Sequence, residues 1–149
     1  MSDEQGRIVV GVDGSPSSLA ALRWAVRQAE MTGASVEAVT AWRNTPALAV
    51  TAPFSDADIS SPDEGVKEAA ERMLRESVNE AVGSSTVAVK AEIGEGSAAQ
   101  LLLRAAEGAS LVVVGSRGHG GFTGALLGSV GQALAQHAAC PVLIYRGAA

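Results

Sequence analysis

Residues Leu111–Gly131 read LVVVGSRGHGGFTGALLGSVG. Four apolar residues lead into Gly115, and seven of the seventeen positions from Gly115 to Gly131 are glycine. Gln132–Cys140 (QALAQHAAC) then has helical spacing. A short apolar run bounded by glycine is a strand buried on both faces, which has no polar side to show. Strand, glycine-rich turn and helix in this order are part of a parallel β-α unit. Glycine costs conformational entropy in ordered chain, so this stretch must need bare backbone.

The flanking chain repeats the unit. Arg7–Val12 (RIVVGV) is a second apolar run; Ser15 and Pro16 read as N-cap and first helical residue. Leu19, Leu22, Ala25, Val26 and Ala29 recur at helical spacing up to Gly33, and Ser35–Trp42 (SVEAVTAW) is a strand. Arg43–Ser61 carries Pro46, Pro53, Asp56 and Asp58 without apolar periodicity, a long connection of the lid or disordered kind. Ser61-Pro62-Asp63-Glu64 is a capping box that predicts a helix to about Val82, with Gly83 after it. Thr86–Ile93 alternates, with Val87, Val89, Ala91 and Ile93 on one face and Lys90 and Glu92 on the other. Ser97 and Gln100 open a helix through Ala98, Leu101, Leu102 and Ala105, and Leu111–Val114 is the fourth strand. Ser129 and Gln132 open the last helix, to about Ala139, and Pro141–Arg146 (PVLIYR) is the fifth strand.

The pattern predicts one α/β domain over residues 1–149: a five-stranded parallel sheet with helices on both faces, Rossmann-like. RIVVGV and LVVV are apolar on both faces and belong in the centre, while the strand with Lys90 and Glu92 belongs at an edge. Right-handed crossovers then favour the order 3-2-1-4-5. In that order the chain reverses between strands 1 and 4, and ligands bind beside such a point at the carboxyl ends of the strands. Asp13 leaves strand 1 there and Gly115 leaves strand 4 there.

Composition narrows the ligand. Net charge is −5 with no basic run, and aromatics are only 3%, which disfavours nucleic acid and anionic membranes. No apolar run approaches ~20 residues, and the polar start MSDEQG does not read as a signal peptide. Cys140 is the only cysteine, so no intrachain disulfide forms, which suits a reducing cytoplasm. The glycines suit an anion: Gly115 and Gly118 can take positive φ and let a ligand approach the main chain. Gly128-Ser129 opens a helix whose free N–H groups favour phosphate. The Ser129 hydroxyl is a further donor, unless it caps its own helix. GxxxxGK[ST] is absent, so there is no Walker-type lysine.

Gly115, two residues, Gly118, nine residues, Gly128 and Ser129 match in identity and spacing the phosphate motif of the universal stress protein family. VVGVDGS, GSRGHGG and PVLIYR also resemble that family, and the likeness covers essentially the whole chain. The resemblance implies an adenine nucleotide, ATP foremost, in the cleft, with Mg²⁺ held through its phosphates and not by a protein metal site. It places Gly115, Gly118, Gly128, Ser129 and Val130 around the phosphates, with Arg117 beside them. Asp13 falls near the ribose or a phosphate-bound metal, Ala41 meets adenine through its backbone, and Gly11 and Val12 line the base and sugar side. A larger aliphatic residue often stands where this chain has Ala41, so packing on the base is looser here.

Neither His119 nor His137 has a nameable catalytic partner; His137 reads as structural in mid-helix, Cys140 as a small buried hydrophobe, and Trp24 and Trp42 as packing residues. Asp13-Gly14-Ser15 is also good turn chemistry. PVLIYR is apolar throughout yet lies at a sheet edge, which points to a homodimer through strand 5, as the resemblance also implies. The leading expectation is a cytoplasmic nucleotide-binding switch with an unknown protein partner. The alternatives are a slow ATPase or phosphotransferase, for which no catalytic residue can be assigned, and an interaction module binding AMP or a cyclic nucleotide.

Overall fold

Arg7–Gly11 (β1) lies between Ser35–Trp42 (β2) and Leu111–Gly115 (β4) in a computed structural model that describes residues 6–43, 62–116 and 128–146. Val89–Glu95 (β3) flanks β2 and Val142–Tyr145 (β5) flanks β4, so the five-stranded parallel sheet runs β3-β2-β1-β4-β5. Register is set by pairs such as Val10↔Ala38 and Val10↔Val113. Val9, Val10, Val112 and Val113 are fully inaccessible, which is why β1 and β4 carry apolar residues on both faces.

Alternate residues feed two cores. Ile8, Val10, Val36, Ala38 and Val113 meet Pro16–Thr32 (α1) and Pro62–Val82 (α2) through Leu22, Ala25 and Leu74. Val9, Val39, Val112 and Val114 meet Ala98–Ala106 (α3) and Ser129–His137 (α4) through Leu102, Ala106 and Leu134. Ser15 caps α1 by accepting from Ser18 N, with Pro16 in the first turn and Gly33 at φ 81 closing the helix. Ser97 Oγ caps α3 by accepting from Gln100 N at 3.0 Å. At the amino-terminal end of the sheet Arg7 donates to Glu37 Oε1 at 2.8 Å and to the carbonyls of Ala105 and Glu107, where its charge faces the α3 C-terminus.

Some boundaries differ from the sequence reading. β3 covers Val89–Glu95 and not Thr86–Ile93, because pairing with β2 runs from Val36↔Val89 to Trp42↔Glu95. Alternation sees only one strand, whereas the ladder decides where it begins. Ala91, assigned to the packed face, is exposed, as edge strands allow. α4 ends at His137 and not near Ala139; His137 is therefore the exposed last residue of the helix and not a packed mid-helix one. Cys140 is half-buried, and burial pushes its thiol up against the opposing pull of the Arg7 charge. Among the described residues no helix is long and apolar enough to cross a membrane.

Candidate functional site

The carboxyl ends of β1, β2 and β4 and the first turns of α1, α3 and α4 surround a cleft of about 470 Å³. That volume lies in the range of small-molecule sites. Of the residues singled out from sequence, Gly11, Val12, Asp13, Ala41, Gly115, Gly128, Ser129 and Val130 all line it. Arg117 and Gly118 lie outside the described residues, as does nearly all of the 43–61 connection.

The cleft has one apolar and one polar side. Val39, Leu102 and Val114, none of them marked from sequence, bring aliphatic surface from the α3/α4 core. They were findable: strand order and alternation put Val39 and Val114 on that face at the strand ends. The polar side begins at Asp13, whose Oδ1 accepts from Ser15 N at 2.9 Å and from Ser15 Oγ at 2.6 Å. The expected turn chemistry of Asp13 is thus present, and the residue also faces the cleft. Val12 packs its side chain in the α1/α2 core, while its N–H donates to Val39 O at 2.9 Å. Ladder alternation then directs the N–H and C=O of Ala41 toward β1, beyond Gly11↔Val39, the last pair of that ladder.

Two glycines of the opening stretch have different reasons to be glycine. Gly115 has no positive φ, contrary to the conformational role first given to it. A Cβ there would lie 2.9 Å from both C and O of Ser17, so it is glycine because α1 presses its first turn against the end of β4. Gly128 is the N-cap of α4 in extended backbone, φ −70 and ψ 169, and an added Cβ would meet no described atom within 4 Å. It lines the cleft.

Ser129 is the first helical residue of α4 and not its cap, so the self-capping alternative is not realised; among the described residues no side chain caps this helix. The first intrahelical bond there is from Gln132 N to Gly128 O at 2.9 Å. The N–H groups of Ser129, Val130 and Gly131 precede it and have no acceptor within the helix. All three residues line the cleft, where the positive end of the helix dipole also points. Among the described residues no group of three or more His, Cys, Asp or Glu side chains is placed to hold a metal ion.

The family model described as Universal stress protein family matches residues 5–146. This chain belongs to the universal stress protein family. Universal stress protein Rv2623 of Mycobacterium tuberculosis (strain ATCC 25618 / H37Rv) is 33% identical over 148 residues, which cover 96% of this chain and 46% of that protein. The chain spans about half the length of the curated relatives it matches. Among solved structures, universal stress protein UspA from Lactobacillus plantarum aligns with a TM-score of 0.75 at 24% identity, over 95% of this chain and 98% of that one. A universal stress protein solved in complex with cAMP aligns with a TM-score of 0.67 at 27% identity, over 95% and 96%. The five-stranded parallel sheet is therefore the family's fold, reached by an independent route from the strand pattern.

Proposed function

We propose that this universal stress protein domain binds an adenine nucleotide, ATP foremost, in the cleft and acts as a cytoplasmic binding switch. The observation that carries the reading is the first turn of α4. Three backbone N–H groups without helical acceptors line the cleft, and among the described residues no side chain caps them and no atom would meet a Cβ at Gly128 beside them. Phosphate oxygens would complete those donors. Gly118 and Arg117 extend the same motif in sequence. The aliphatic side, with Val39, Leu102 and Val114, suits a base, and the Ala41 backbone offers it a donor and an acceptor. Asp13, on the polar side, suits a ribose hydroxyl or a cation carried by the phosphates. Mg²⁺ in this reading is held through the nucleotide.

A related protein bound to cAMP makes a second ligand worth separating from ATP. Calorimetric titration with ATP, AMP and cAMP is the test. Saturable binding of ATP supports the reading, preference for AMP or cAMP favours the interaction-module alternative, and no binding of any of the three overturns the nucleotide site. A phosphate-release assay run beside it separates the switch from a slow ATPase or phosphotransferase.

The same proposal includes a homodimer through β5. Pro141 O accepts from Val112 N and Tyr145 O from Ser116 N, both on the β4 side. Alternation leaves the backbone groups of Val142 and Ile144 on the outer edge of the sheet, a template for pairing with a second copy.

A further inference from the structure

Ser18 and Thr40 are the buried polar side chains among the described residues, 4% and 3% exposed. Both hydroxyls serve one peptide unit. Thr40 Oγ1 donates to Val12 O at 2.8 Å, and Ser18 Oγ accepts from Asp13 N at 3.2 Å. That carbonyl and that N–H are the two ends of the Val12–Asp13 peptide, the link by which β1 enters the cleft. The hydroxyls reach it from different elements, Thr40 from β2 and Ser18 from the first turn of α1. Ser18 Oγ spends its own proton on Ser15 O at 3.1 Å, which orients it to accept.

Packing alone does not call for these hydroxyls. Valine has the shape of threonine, and its neighbours on that face of β2, Val36 and Ala38, are apolar. The peptide itself explains them. The β1–β2 register ends at Gly11↔Val39, so the Val12 carbonyl lies past the ladder and would be buried without a strand partner. A peptide held at one end can tilt, and its tilt carries the next residue. That residue is Asp13, whose carboxylate is already tethered to Ser15 through Oδ1.

We propose that Thr40 and Ser18 are positioning residues: they clamp the Val12–Asp13 peptide at both ends and thereby set where the Asp13 carboxylate stands in the cleft. The clamp rests on geometry alone; its consequence for affinity rests on the nucleotide reading above. The test uses the full chain and the variants Thr40→Val, Thr40→Ser and Ser18→Ala. Without ligand, nuclear magnetic resonance follows amide exchange and the side-chain carboxyl carbon of Asp13. Thr40→Val and Ser18→Ala are expected to speed exchange at Asp13 and shift its carboxyl signal, and Thr40→Ser to restore both. With AMP and ATP, loss of one such hydrogen bond is expected to weaken binding roughly three- to tenfold. That loss should disappear in an Asp13→Ala background, since the clamp acts through Asp13. Unchanged Asp13 signals in Thr40→Val and Ser18→Ala, or affinity losses that simply add to that of Asp13→Ala, would overturn the clamp. If the wild-type chain binds neither nucleotide, the nucleotide reading falls, and the ligand-free signals alone uphold or overturn the clamp. Should Thr40→Val not fold, Ser18→Ala and Thr40→Ser supply the same comparison.

Discussion

Valine at Gly128 and alanine at Gly115 should separate ligand binding from folding within one motif. At Gly128 the backbone is extended, φ −70, and an added Cβ has no described atom within 4 Å. The only folding cost is the poorer N-cap, about 1 kcal/mol. For a domain of this size 1 kcal/mol corresponds to roughly 3–4 °C in Tm. At Gly115 even one methyl group falls 2.9 Å from the C and O of Ser17, both backbone atoms. Backbone cannot swing aside as a side chain can, so α1 must shift from the sheet, at a cost of about 2–3 kcal/mol or roughly 6–12 °C. Nucleotide reverses the ranking for Gly128→Val. The valine branch stands before the donors of Ser129, Val130 and Gly131 and denies phosphate its approach, so affinity should fall at least about tenfold, the equivalent of one good charge-assisted hydrogen bond. Wild-type protein should gain about 2.7 kcal/mol when free ATP is 100 times its dissociation constant, and a tenfold weaker Gly128→Val should gain about 1.4 kcal/mol or less at the same concentration. Thermal melts with and without ATP, paired with calorimetry, measure both quantities. Wild-type affinity in a folded Gly128→Val protein would refute the phosphate role of the α4 N-terminus. A ligand-free Tm as low as that of Gly115→Ala would refute the absence of a steric clash at Gly128.

Arg7→Ala removes an ion pair to Glu37 and two bonds to the carbonyls of Ala105 and Glu107 at the end of α3, and should cost about 1–2 kcal/mol after allowance for partial exposure and screening. Because Arg7 sits at the opposite end of the sheet from the cleft, ATP affinity by calorimetry should not change. Sedimentation equilibrium at micromolar concentration should give a dimer, and a wild-type monomer would remove the β5 proposal. Charge substitution of Leu143 or Ile144 is a poor substitute for that measurement, since Leu143 packs into the α1/α2 core and Ile144 into the α3/α4 core. The Cys140 thiol, pushed up by burial, should react with alkylating reagents more slowly at neutral pH than an unfolded-chain thiol, and catch up only as pH rises beyond the ordinary thiol range. A rate equal to that of the denatured protein would contradict the burial.

The double apolarity of RIVVGV and LVVV, with helical spacing between the strands, sufficed for the sheet order and the position of the cleft. Burial on both faces and right-handed crossover are constraints that a sequence records locally. The glycine motif located the free N–H groups of the α4 N-terminus for the same reason: N–H groups before the first helical bond follow from helix geometry wherever the helix begins. Tertiary structure alone decided what each glycine is for. Gly115 answers to the backbone of Ser17, nearly a hundred positions away in the chain, whereas a Cβ at Gly128 would meet no described atom, and no local pattern distinguishes them. It also decided that β3 starts at Val89, because a ladder needs two strands, and that Val39, Leu102 and Val114 meet in one wall. Ser18 and Thr40 show the limit most plainly. As isolated residues each is an ordinary hydroxyl in a helix or a strand, and only the folded chain brings both to one peptide bond, because hydrogen bonds act over about 3 Å while these residues are 22 positions apart.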